Sequence, residues 1–193
     1  MKPLTLLSAI ALLLYPFGVY YGLNRWGVGV IAGGLALLFL LRVIGASQTR
    51  LRELKYIAWV SGAAGLVLTL LAFVFKSSDW FTYYPVIVNL FMFLLFAQSL
   101  WQKESMIERF ARLQEPELPD YAIHYTRNVT KVWCLFFILN GSAALVTSFM
   151  SLQTWAFYNG LLSYLLAGGL FAVEFVVRIW VKRKNEKAGK NVI

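Results

Sequence analysis

Residues 132–173 read VWCLFFILNGSAALVTSFMSLQTWAFYNGLLSYLLAGGLFAV and contain no charged side chain. As a single α-helix this stretch would be about 63 Å long, against a hydrocarbon core of roughly 30 Å. It has to fold back on itself, and Ser151, Leu152, Gln153 and Thr154 are the natural turn. The run therefore predicts two membrane spans, at residues 132–150 and 155–177. Barrel strands do not fit, because they would show alternating segments of about ten residues rather than an unbroken apolar run.

Working outward, uncharged runs of similar scale predict four earlier spans at residues 4–23, 26–43, 56–75 and 84–101. The stretch 4–23 superficially resembles a secretory signal, but it is too long and lacks a small-x-small site before Asn24, so it reads as a retained first helix. The expected fold is all-α: one transmembrane domain over residues 1–193, built as a six-helix bundle. A loop at 102–131 and a basic tail at 178–193 complete it. The two-residue link Asn24–Arg25 and the short turn after residue 150 make spans one and two, and five and six, antiparallel neighbours. Gly18 and Gly22, and Gly29 and Gly33, have GxxxG spacing and are read as internal packing positions.

Lys and Arg counts orient the bundle. With six spans one face collects Lys2; Arg42, Arg50, Arg52 and Lys55; Lys103, Arg109, Arg112, Arg127 and Lys131; and Arg178, Lys182, Arg183, Lys184, Lys187 and Lys190. Only Arg25 and Lys76, of 18 basic residues, fall on the other. Adding or dropping one helix would spoil this asymmetry. Both ends of the sequence are accordingly expected on the cytoplasmic side.

The composition agrees. Hydrophobic residues make up 60% of the 193 and charged residues 14%, where soluble domains carry roughly 45–50% and about 25%. The net charge of +9 points to anionic headgroups and acidic proteins as partners, not nucleic acid. One cysteine, Cys134, and one histidine, His124, leave no zinc set, so neither metal nor cofactor is expected.

The loop 102–131 is the most informative segment. Ser105 and Glu108 have capping-box spacing, and Met106, Phe110 and Leu113 form one apolar stripe. They predict a short amphipathic helix between spans four and five, lying on the cytoplasmic membrane surface, with Pro116 and Pro119 ending it. Asp120 is expected to cap a second helix leading into span five. Arg109, Arg112, Arg127 and Lys131 are the candidate contacts for headgroups or a partner.

Within the spans, Asn89, Asn140 and Asn159 are candidate polar-site residues, together with Glu174 and Arg178. Interhelical hydrogen bonding is the ordinary use of such amides, and an i, i+4 ion pair accounts for Glu174 with Arg178. The Tyr15-Pro16 and Tyr84-Pro85 pairs, with Tyr20, Tyr21, Trp26, Trp80, Tyr83, Trp155 and Tyr158, read as an aromatic belt at the outer headgroup level. No G-x-S-x-G elbow, HExxH, P-loop or dinucleotide fingerprint occurs. No catalytic residue is therefore assigned.

The stretch MIERFARLQEPELPDYAIHYTRNVTKVWCLFFILN at 106–140, with YPVIVN at 84–89 and YNGLLSYLL at 158–166, resembles an uncharacterised family of small bacterial inner-membrane proteins. Members of that family are sometimes mislabelled as a DNA gyrase subunit; nothing in this sequence resembles an ATP-binding domain. They are often encoded beside fatty-acid-like synthesis genes for aryl-polyene or related lipids. The resemblance implies an accessory role in making or exporting such products and carries over no catalytic residue. The leading expectation is a non-enzymatic accessory or scaffold protein whose basic face holds lipid-synthesis enzymes or an acidic acyl carrier protein. Beside it stand a lipid or small-molecule transporter or flippase using the amides and Glu174, and a membrane acyltransferase using His124 and Asp120.

Overall fold

A computed structural model describes residues 14–46 and 52–190. Residues 4–13 of the expected first span, together with Lys2, Arg50 and residues 191–193, lie outside the described residues. The elements are α1 (Tyr15–Ala46), α2 (Arg52–Phe75), α3 (Asp79–Thr82), α4 (Tyr84–Ser99), α5 (Met106–Arg112), α6 (Asp120–Ser148), α7 (Leu152–Phe157), a π-helical turn (Tyr158–Leu162) and α8 (Ser163–Lys190). No strand occurs among the described residues. Among the described residues, five helical stretches are long and apolar enough to cross a membrane: Arg25–Ile44, Lys55–Phe75, Asp79–Ser99, Asp120–Ser148 and Leu152–Asn185. They overlap the second to sixth expected spans.

The chain forms two compact units. The first comprises Met1–Phe91 and Leu139–Ser163, the second Met92–Ile138 and Tyr164–Ile193. In the first unit α1 is two helices joined at Gly27, whose φ of 76° and ψ of 173° belong to a region open essentially to glycine alone. The chain doubles back there. Tyr15 and Phe39 would be about 36 Å apart on a straight helix, yet their ring centroids are 6.0 Å apart. The two halves of α1 on either side of Gly27 are thus antiparallel neighbours, the chain turning at Gly27 rather than at Asn24–Arg25. Of the four glycines with GxxxG spacing only Gly22 is at a close approach, against Ile31; a Cβ on Gly18, Gly29 or Gly33 would meet nothing. Gly65 performs the packing role instead, since a Cβ there would fall inside the Phe39 ring.

The core of this unit joins Tyr15, Val19, Leu35, Phe39, Leu68, Phe81, Tyr84 and Trp155. Tyr15 and Tyr84 are only 3% and 7% exposed, and their rings lie 4.8 Å apart. Trp155 is fully buried, 6.3 Å from Tyr15. These three are core residues, not members of a headgroup belt. Their polar ends explain why: Pro85 has no N–H to offer the Phe81 carbonyl, and the Tyr15 hydroxyl donates to that oxygen at 2.7 Å. The neighbouring Thr82 carbonyl accepts from Trp155 Nε1 at 3.0 Å and from the Ser148 hydroxyl at 3.1 Å. Tyr21 and Trp26 do lie exposed, as a belt requires.

The uncharged run does break, but at residues 149–151 rather than across Ser151–Thr154, since Leu152, Gln153 and Thr154 already belong to α7. The α6 helix ends at Ser148, and Ser151 caps α7 by accepting from the Thr154 N–H at 3.2 Å. Beyond residue 177, α8 continues through the basic segment to Lys190.

Candidate functional site

The loop 102–131 belongs to the second unit, and hydroxyl groups from its neighbours build it. A helix begins with orphan N–H donors. In α5 the Met106 N–H donates to Ser99 Oγ at 2.8 Å and the Ile107 N–H to Thr130 Oγ1 at 3.3 Å. A capping box pairs Ser105 with Glu108, whose carboxylate accepts from the Ser105 N–H at 3.3 Å. Met106 is buried with Phe96, Cys134 and Phe137, and Phe110 packs on that cluster. Leu113, the third member of the expected stripe, is exposed. The helix exists as expected, but it anchors into this unit through Met106 and a buried carboxylate. Asp120 does begin the next helix, and α6 then runs unbroken to Ser148.

All four candidate headgroup residues have partners inside the unit. Arg112 holds buried Glu108 through Nε at 3.0 Å and Nη2 at 2.8 Å, and donates to the Pro116 carbonyl at 2.8 Å. Arg109 donates to the Glu104 carbonyl and to Gln102 Oε1. Arg127 donates to the Leu100 carbonyl just past α4, where a basic group also complements the helix end. Lys131, exposed, bonds Asn128 Oδ1 at 3.3 Å.

The intramembrane candidates divide between the units. In the first, Asn140 Nδ2 donates to Asn89 Oδ1 and to Ser163 Oγ, each at 3.0 Å, and Asn140 Oδ1 accepts from the Tyr158 hydroxyl at 2.9 Å. Gly141 makes this possible, since a Cβ there would lie 3.0 Å from that of Asn89. Asn159 bonds elsewhere, to Thr147 Oγ1 at 3.1 Å and the Trp155 carbonyl at 3.0 Å. Asn89 and Asn140 bond each other, and Asn159 ties to Thr147 on α6.

In the second unit Glu174 is buried. It accepts from Arg178 Nε at 3.0 Å and Nη2 at 2.5 Å, and from the Tyr125 hydroxyl at 3.2 Å. The i, i+4 pair is formed, and Tyr125 is the partner that the sequence did not reveal. It lies one turn after Tyr121 on α6, but no local pattern links it to a residue 49 positions on.

These groups line a cleft of about 620 Å³. One side comes from Ile107, Phe110, Ala111 and Gln114 on and just after α5, a second from Tyr121, Ala122, Tyr125 and Trp133 on α6. Phe171, Glu174, Arg178 and Lys182 supply the third from one face of α8. Lys182 Nζ meets Glu115 Oε1 at 3.0 Å across this wall. Aromatic and aliphatic walls with convergent polar groups are the usual chemistry of a small-molecule pocket. No protein-family model, curated protein or solved structure matches this chain. His124 and Asp120 are both exposed at the start of α6, and no hydrogen bond joins them among the described residues.

Proposed function

We propose that this chain is a six-span protein of the bacterial inner membrane, with both ends of the sequence in the cytoplasm, that acts as a non-enzymatic accessory protein of lipid assembly. Residues 4–23 supply the first span, and the loop 102–131 is a cytoplasmic docking element. The observation carrying this reading is that the loop, flanked by spans and rich in Arg and Lys, is a folded part of the second unit with its own buried anchors, Met106 and Glu108. A mere connection between spans would not need Ser99, Thr130 and Arg112 committed to its interior. Sixteen basic residues on this side would attract anionic lipid, and an acidic carrier protein or lipid-synthesis enzyme.

Against the transporter reading, the Glu174 carboxylate is held by Arg178 and Tyr125, which supports the structural ion pair over a proton relay. Copurification from native membranes tests the accessory role. Lipid-synthesis enzymes or carrier protein should be recovered with the wild-type chain and lost when the loop is replaced by a short linker. Repeated recovery of the wild-type chain alone would refute it.

A further inference from the structure

We infer that the cleft of the second unit binds one acyl chain bearing an anionic head, the chain against Phe110, Trp133 and Phe171 and the head on Arg178 and Lys182. This assignment takes its membrane setting from the proposed accessory role and names the ligand class of that role.

The walls decide the chain. Aromatic and aliphatic side chains dominate the cleft, and its volume lies within the range of about 300–1,000 Å³ usual for ligand pockets. The charges decide the sign of the head. Glu174 is already engaged by two nitrogens of Arg178 and by Tyr125, so it offers little to a cationic ligand. Arg178 keeps Nη1 without a hydrogen-bond partner among the described residues, and a guanidinium can hold a second oxyanion through such N–H groups. Lys182 stands one turn further along α8, and its contact with Glu115 is exposed at both ends, 52% and 58%. An exposed pair of this kind contributes little, so a ligand oxyanion can take the place of Glu115.

An anionic head on an acyl chain describes both a free fatty acid and an anionic phospholipid with one chain in the cleft. The test uses the full chain in lipid nanodiscs with two photoreactive probes, a diazirine palmitate and a phosphatidylglycerol carrying the diazirine in one chain. Cross-links should map to peptides containing Phe110, Trp133 or Phe171 with at least one probe, and whichever labels them identifies the source. Ala122→Phe should fill the cleft and abolish those cross-links. Lys182→Glu, at an exposed position, should lower them by about tenfold, the scale of one charge-assisted hydrogen bond.

Labelling confined to lipid-facing positions such as Leu165 and Val176 would overturn the inference, as would equal labelling of the Lys182→Glu protein. So would equally strong labelling by a diazirine alkylamine. Cleft labelling without any copurifying pathway protein would refute the accessory role alone, and copurification without cleft labelling would refute only the ligand.

Discussion

Pro85, in the first turn of α4, has no N–H for the Phe81 carbonyl, which accepts the Tyr83 N–H and the Tyr15 hydroxyl instead. Tyr15→Phe keeps the ring and removes the donor, so it should destabilise the protein by about 1 kcal/mol. Tyr21→Phe, at an exposed ring, should be neutral; thermal unfolding in detergent compares the two. The Glu108 carboxylate is buried and held by Arg112, and removing one member of a buried pair costs about 3 kcal/mol. Arg112→Ala should therefore loosen the loop, seen as faster proteolysis between residues 102 and 119, and Glu108→Gln in the same chain should restore part of the resistance.

At the scale of elements, the hairpin in α1 depends on one backbone position. Gly27→Ala places a Cβ in a conformation that costs of order 1–3 kcal/mol outside glycine. It should sharply lower the yield of folded protein in size-exclusion chromatography, whereas Gly29→Ala, where a Cβ meets nothing, should not. The glycine spacing was legible in the sequence, but which glycine turns the chain was not. The GxxxG pattern pointed to four helix-packing positions, and the φ of Gly27 arises only when two helices close on each other. The same holds for α5. Its capping residues and apolar stripe were readable, but the hydroxyls that satisfy its first N–H groups come from α4 and α6, out of reach of any local pattern.

For the whole molecule, the proposed orientation makes a direct prediction. In a Cys134→Ser background, Ser77→Cys should react with a membrane-impermeant maleimide in intact spheroplasts, and Gln114→Cys only after lysis. The opposite pattern would reverse the bundle; labelling of both in intact cells would remove the odd number of crossings between them. The candidate site was legible in pieces. The Glu174–Arg178 pair follows from i, i+4 spacing, and Asn89 and Asn140 stood out as amides in apolar runs. Tyr125, Lys182 with Glu115, and the cleft they line did not stand out, because their separations in sequence carry no periodic signal.

What the sequence determined by itself is the set of long apolar helices, the break inside residues 132–173, and the clustering of basic residues between the apolar runs, since each depends on local hydropathy and length. Only the tertiary structure decided which aromatics serve the core rather than a headgroup belt, where α1 turns back, and that Phe110, Tyr125, Trp133, Phe171 and Arg178 share one cleft. The physical reason is the same in each case. A buried carbonyl, a carboxylate or a cavity wall is completed by groups far away in the chain, and their meeting is a property of packed helices, not of any window of residues.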